Sequence, residues 1–246
     1  MNAVALDIET TGLSADDEVT SVAVFGDKVE SVYSQTDILK ERVLLENLSN
    51  IVYGCGKDTM LITFNGQNFR GGFDLPLLRT RFHKHGIAWP FVGMMHLDIY
   101  PIIEKLWNTA QPYWQTLDQL LVDDLKKMVQ FFGIDGKPKV KQNYIDLISG
   151  NANDVEVNKY IREHFDSKIR DINSLKGAYQ IITGKDPGEM DGAGAVQLWQ
   201  QYTETGDTAI IEQIRQYNLD DCKKTLELYE ICNQYCSQRD MQPVVL

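Results

Sequence analysis

Apolar positions fall in short dense runs over the first hundred residues and in helically spaced stripes beyond them. Residues 3–8 are almost continuously apolar and read as a buried strand. Residues 19–25 and 29–34 read as two more strands, joined at Gly26-Asp27-Lys28 by a hairpin-like turn. Residues 37–54 carry apolar side chains at helical spacing. A short strand follows over 59–64, and Leu75 to His85 reads as a helix. His96-Leu97-Asp98 closes another strand, with Asp98 placed to cap a helix over about 99–107. Beyond it the pattern is helical, with Trp114 to Phe132 and Asp154 to Ile172 as the main segments. A polar, turn-rich stretch around Gly133–Lys139 separates those two. Helices are expected again over Ser174–Thr183, Ala193–Thr203 and Thr208–Arg215, the last running on to about Arg239.

Three strands in succession, then a helix, then strand–helix units predict a mixed sheet. This is the order of an α/β, RNase H-like fold, here expected with five strands and helices on both faces. The chain reads as a single domain over 1–246 with a helical insertion at about 108–172. Composition supports a packed core: 43% of the 246 residues are hydrophobic and 24% are charged, which excludes global disorder. No run of about 18 apolar residues predicts a membrane span, and no basic-then-apolar leader precedes the first strand. Cys55, Cys222, Cys232 and Cys236 lack the spacing of a zinc site, and a cytoplasmic protein with free thiols is expected. A net charge of −11 argues against tight nonspecific binding of duplex DNA, which depends on phosphate neutralisation. It does not exclude an enzyme acting on nucleic acid, because some of the acids can be metal ligands.

The candidate chemistry lies in three acidic stations. Asp7 and Glu9 stand at i and i+2 on the first strand and therefore share a face. Two adjacent buried carboxylates repel, and one takes up a proton unless a cation lies between them. With Thr10-Thr11-Gly12 ending the strand and no Lys or Arg close in sequence, the pair suggests an oxygen-ligated Mg2+ or Mn2+ rather than zinc. A chance Asp-x-Glu at a strand end is the plain alternative. Asp74 sits where the helix after Asn65-Gly66 begins. An N-cap fits that place, with Pro76 just inside, and so does a metal carboxylate. Tyr217 and Asp221 are spaced i, i+4 on one helix face, where a phenol beside a carboxylate can hold a water next to a metal. A surface tyrosine near two solvated acids is the alternative there, and Asp220 competes with Asp221.

Taken together, Asp-x-Glu, then Asn-Gly…Phe-Asp, then Tyr-x-x-x-Asp resembles the DEDD, DnaQ-like 3′–5′ exonuclease superfamily, in its tyrosine subclass. The closer likeness is to the YprB-like group related to the exonuclease domain of family B polymerases. It rests on Phe64-Asn65-Gly66…Phe73-Asp74-Leu75-Pro76, on His96-Leu97-Asp98, and on Leu198-Trp199…Tyr202…Tyr217-Asn218…Asp221. It covers residues 3–107 and 173–231. One departure is the longer loop between Asn-Gly and Phe-Asp, which bears on Asn65 more than on Asp74.

The resemblance implies a two-ion hydrolase that releases nucleoside 5′-monophosphates from single-stranded 3′ ends, DNA favoured over RNA. Asp7, Glu9, Asp74 and Asp221 would hold two Mg2+ or Mn2+ ions, with Asp7 bridging and Tyr217 orienting the attacking water. Two such ions can activate water and neutralise the leaving oxygen. Thr10, Thr11, Gly12 and Leu13 would lie against the terminal nucleotide, with Asn65 near them. Phe73 reads as stacking on a base or as filling the core. Arg79 and Arg81 read as contacts to the strand backbone or as a solvated helix face. Lys126, Lys127, Lys137, Lys139 and Lys141 of the insertion suggest a guide for single strands, or a solvated surface, since Asp118, Asp123, Asp124 and Asp135 accompany them. The insertion is also a place for a protein partner. His96 is expected in the core. A noncatalytic nucleic-acid-binding module and a small-nucleotide phosphoesterase are the competing functions.

Overall fold

The computed structural model describes residues 2–36, 40–56, 58–67, 71–107, 117, 120–136, 138–165 and 174–246. It resolves into two compact units, residues 1–107 with 179–246, and residues 108–178.

The first unit is built on a mixed sheet of β1 (Asn2–Thr10), β2 (Val19–Gly26), β3 (Val29–Ser34), β4 (Thr59–Thr63), β5 (Met95–Asp98) and β6 (Val244–Val245), in the order β3-β2-β1-β4-β5-β6. β1 pairs antiparallel with β2, with Asp7 opposite Ala23, and parallel with β4. β4 and β5 are parallel. The fold is the expected RNase H-like one, with six strands among the described residues instead of five. The added strand is a two-residue edge, Val244 and Val245 running antiparallel to His96 and Met95. Two residues carry no periodicity, so only tertiary pairing reveals it.

Alternation along β1 sends its side chains to opposite faces. Val4, Leu6 and Ile8 join the main core with Leu44, Leu45, Leu48 and Val52 of α1 (Glu41–Cys55) and Leu75, Leu78 and Phe82 of α2 (Asp74–Lys84). Helix α3 (Tyr100–Leu106) follows β5. The long C-terminal helix of this unit (Thr208–Tyr235, α9 in chain order) packs on β1, β2, β3 and β4. There Asn218 meets Asp7, and the Cys222 thiol donates to the Ala23 carbonyl at 3.3 Å. Asp207 caps this helix by accepting from the Ala209 amide, while the preceding α8 (Gly192–Thr205) is capped by Asp191 and stops at Gly206. All four cysteines are free.

Glu41 is the hub of a buried ion cluster. Its carboxylate accepts from Arg81 Nε at 2.8 Å, from Arg81 Nη2, from His85 Nε2 at 2.6 Å and from the Val19 amide at 2.8 Å. Burial disfavours the charge on Glu41, but these donors outweigh it and lower its pKa. The strand-contact reading of Arg81 is therefore corrected: its side chain is 8% exposed and spent on Glu41. Arg81 Nη1 and Lys84 Nζ also reach the Asp16 and Ala15 carbonyls, so α2 grips the loop after β1. His96 lies in the core, bonded to the Thr63 hydroxyl at 2.9 Å, and burial lowers its pKa to about 4.

The second unit contains α4 (Val122–Phe131), α5 (Lys141–Asn151), α6 (Asp154–Phe165) and the start of α7 (Leu175–Thr183). Its own core joins Leu125, Met128, Tyr144, Ile145, Ile148, Val157 and Ile161. Helix α5 lies within the expected helical insertion but between its two main segments, where a Gly- and Pro-bearing stretch leads straight into a polar first turn. Parts of the helices expected over Trp114–Phe132 and Asp154–Ile172 lie outside the described residues, as do Asp118 and Lys137. Lys126 pairs with the exposed Asp123 at 2.8 Å and Lys127 with the buried Asp124 at 3.6 Å. Among the described residues no helix is long and apolar enough to cross a membrane.

Candidate active site

The carboxyl ends of β1, β4 and β5 lie side by side, where open α/β sheets place their ligand crevices. Asp7 and Glu9 leave β1 on the face covered by α9. A register irregularity between Glu9 and Thr10 ends the regular ladder there.

The lengthened loop after β4 does not carry Asp74 away. The Phe73 amide donates to the Asn65 carbonyl at 2.9 Å, and the Leu75 amide to the Gly66 carbonyl at 3.0 Å. The loop closes on itself, and α2 starts beside the strand it left. Asn65 takes a left-handed backbone with φ of 62°. A Cβ on Gly66 would lie 2.5 Å from the Thr63 side chain, so this approach requires glycine. Asp98 holds the loop from the next strand, accepting from the amides of Asn65 (2.8 Å), Gln67 (3.1 Å) and Tyr100 (3.0 Å). The N-cap of the following helix is Ile99 and not the expected Asp98, whose carboxylate instead takes the Tyr100 amide and clamps the loop that delivers Asp74.

Helix α9 brings the third station. Asp221 is 6% exposed and faces the sheet. Asp220 is more exposed and accepts from Gln216 at 2.8 Å. Asn218, fully buried, donates to Asp7 Oδ2 at 2.6 Å and accepts from the Ser21 hydroxyl at 3.1 Å.

The four carboxylates feel one another. Asp7 is raised well above its usual pKa by burial first and then by Glu9, Asp74 and Asp221, against the lowering bond from Asn218. Glu9 is raised by burial and by the charges of Asp221 and Asp74. Asp74 is raised to about 8 by burial and by Asp98. Tyr217 is pushed far up by burial, then by Asp221, Glu9 and Asp7, and its hydroxyl is hydrogen-bonded to Asp221. It stays a donor at any physiological pH. Lys224, one turn further on, places its ammonium 2.7 Å from Asp221 Oδ1, both side chains nearly buried.

Among the described residues no three Asp, Glu, His or Cys side chains close into a ready-made metal cage. Asp7 is held by Asn218, and Asp221 by Lys224 and Tyr217. The donor set nevertheless fits a hard divalent cation. It offers only oxygen ligands, and its negative charge exceeds what one ammonium offsets.

The remaining sequence-derived positions divide. Thr10 is buried, its hydroxyl donating to the Gly12 carbonyl at 2.6 Å. Thr11 donates to Asp17 at 2.9 Å, and a Cβ on Gly12 would lie 2.8 Å from that same carboxylate. The turn thus holds Leu13 outward, 81% exposed. Phe73 packs on the main core, the second of its two readings. Arg79 is exposed, 4.9 Å over the Trp89 ring, and lines a cavity of about 600 Å3 with Gln67 and Asp98. The sequence places Asp98 at a helix start and Asn218 inside the third motif without giving either a role in the site, and Lys224 belongs to no motif there. The spacing of Lys224 from Asp221, i to i+3 on a helix, was the available signal for one of them.

The family model of the RNase H superfamily matches residues 4–135 and 115–233. The fold is similar to that of the family B DNA polymerase from the hyperthermophilic archaeon Pyrobaculum calidifontis, with a TM-score of 0.56 and 16% identity over 95% of this chain and 24% of the polymerase. An uncharacterized 48.2 kDa protein of Orgyia pseudotsugata multicapsid polyhedrosis virus is 23% identical over 122 residues, 45% of this chain and 29% of the viral one. The chain thus spans less than a third of either protein.

Proposed function

The chain belongs to the RNase H superfamily, and from that premise we propose that it is a metal-dependent 3′–5′ exonuclease of the DEDD tyrosine subclass. Its substrate is single-stranded nucleic acid, DNA favoured over RNA, and its products are nucleoside 5′-monophosphates. Family membership supports a nuclease. The finer reading is carried by one observation: acids from positions 7, 9, 74 and 221 are buried within each other's electrostatic reach.

Asp7, Glu9, Asp74 and Asp221 would hold two divalent ions, and Asp7 feels the charges of the other three. Bound there, Mg2+ or Mn2+ supplies Lewis acidity toward the phosphate and its leaving oxygen. Asn218 fixes the Asp7 carboxylate. Tyr217 remains protonated and so does not act as the base; its hydroxyl, beside Asp221, would orient the attacking water. Thr10 to Leu13 receive the terminal nucleotide, with Leu13 as its exposed apolar contact and Asn65 at the neighbouring loop. Arg79, free of an ion pair among the described residues, meets the strand backbone. The insertion over 108–172, where Lys126 and Lys127 are paired with its own Asp123 and Asp124, would offer a surface to a protein partner.

The test uses 5′-labelled single-stranded DNA and RNA with Mg2+, Mn2+ or EDTA. A ladder shortening from the 3′ end in either metal, and absent in EDTA, is expected. Binding without cleavage would make the chain a noncatalytic module, and hydrolysis of mononucleotides alone a phosphoesterase.

A further inference from the structure

Lys224 belongs to no motif considered so far, yet its ammonium is the cation on the acidic cluster. It stands 2.7 Å from Asp221 Oδ1, with side-chain exposures of 12% and 9%. It also lies 6.0 Å from the centroid of the Tyr217 ring. Among the described residues Asp221 is its ion-pair partner, and Asp7, Glu9 and Asp74 have no bond to it. Its neighbour Lys223 is different. It is 39% exposed and reaches Asp220 and Glu30 at 3.9 and 4.0 Å, on the outer side of the helix.

We propose that Lys224 is a resident counter-charge that competes with a divalent ion for Asp221, and so sets how tightly the acidic cluster takes up metal. The inference rests on the metal-binding reading of the cluster. Its physical basis is direct. A nearly buried carboxylate cannot be left without a positive neighbour except at high cost. Lys224 answers that need from the same helix, three residues on. A divalent ion ligated by Asp221 would stand a few ångströms from the ammonium, and like charges at that distance in a partly desolvated site repel strongly. Lys224 must therefore leave Asp221 before this carboxylate can ligate fully. Four methylenes make that movement inexpensive, and the side chain has solvent to move toward. Lys224 is a positioning residue here: it acts on the metal through Asp221 and Tyr217, and needs no contact with the substrate.

The experiment is Mn2+ titration of the full chain by calorimetry, after EDTA treatment and dialysis, with thermal unfolding at zero and saturating Mn2+. The proteins are wild type, Lys224→Met, Lys224→Arg and Lys223→Met. Lys224→Met is expected to bind Mn2+ about tenfold tighter than wild type. Its unfolding temperature falls in EDTA and recovers in Mn2+, a crossing that a purely structural lysine would not give. Lys224→Arg, which keeps the charge, and Lys223→Met, which lies outside the cluster, stay near wild type. Should Lys224→Met not survive purification, Lys224→Gln serves the same comparison. Mn2+ binding by wild type with unchanged or weaker affinity in the neutral variants overturns this inference and leaves the metal reading standing. No uptake by any of the proteins overturns both.

Discussion

Asp7→Asn is expected to abolish the proposed 3′-end degradation while leaving the fold intact. The expected fall in the single-turnover rate of 3′-end degradation is at least about 10^3-fold, typical of removing a group that acts in the transition state. Asparagine matches aspartate in shape, and its carbonyl oxygen can still accept the Asn218 amide that Asp7 Oδ2 accepts at 2.6 Å. What it loses is the negative charge that Glu9, Asp74 and Asp221 all press against. Removing that repulsion leaves the unfolding temperature in EDTA unchanged or higher. Activity lost together with stability kept or gained marks a functional charge that the fold does not need. A rate within tenfold of wild type would remove Asp7 from the chemistry.

Arg81→Met has the opposite signature. Breaking one side of a buried ion pair strands the other charge, at a cost of about 3 kcal/mol. Glu41 would keep His85 and the Val19 amide but lose the guanidinium that Arg81 aims at both of its oxygens. Arg81 also reaches the Asp16 carbonyl, so the turn carrying Thr10 to Leu13 loses a tether. Chemical denaturation should report the full loss in midpoint with little change in slope. Arg79→Met, on the exposed side of the same helix, should cost well under 1 kcal/mol. Equal stability of the two variants would contradict the ion cluster.

The contrast between those two arginines shows where sequence stops being informative. Arg79 and Arg81 sit in one charged run, and nothing local separates the half-solvated residue from the buried one. The partner that decides it, Glu41, lies 40 positions away on another helix. The strands were legible because β1 and β2 are dense apolar runs flanked by turn residues, and the order of elements then fixed the fold. Asp7 and Glu9 were legible through the period of two. Asp221 over Asp220 follows in sequence from the family spacing alone, since both lie within a turn of Tyr217; packing on the sheet buries Asp221. The role of Asn218 was hidden: a polar residue inside a helix declares its role only when its amide is seen on Asp7. Helix α5 has apolar residues at 144, 145 and 148, but its polar first turn follows a Gly- and Pro-bearing stretch that reads as loop.

The site stands or falls on whether side chains from β1, α2 and α9 ligate a common set of ions. Crystals of the full chain grown with Mn2+, measured at an energy where manganese scatters anomalously, answer this. Peaks ligated jointly by Asp7, Glu9, Asp74 and Asp221, with Lys224 drawn off Asp221, are the predicted result. A map at saturating Mn2+ with no peak among those four carboxylates, and the ammonium still seated on Asp221, would contradict it.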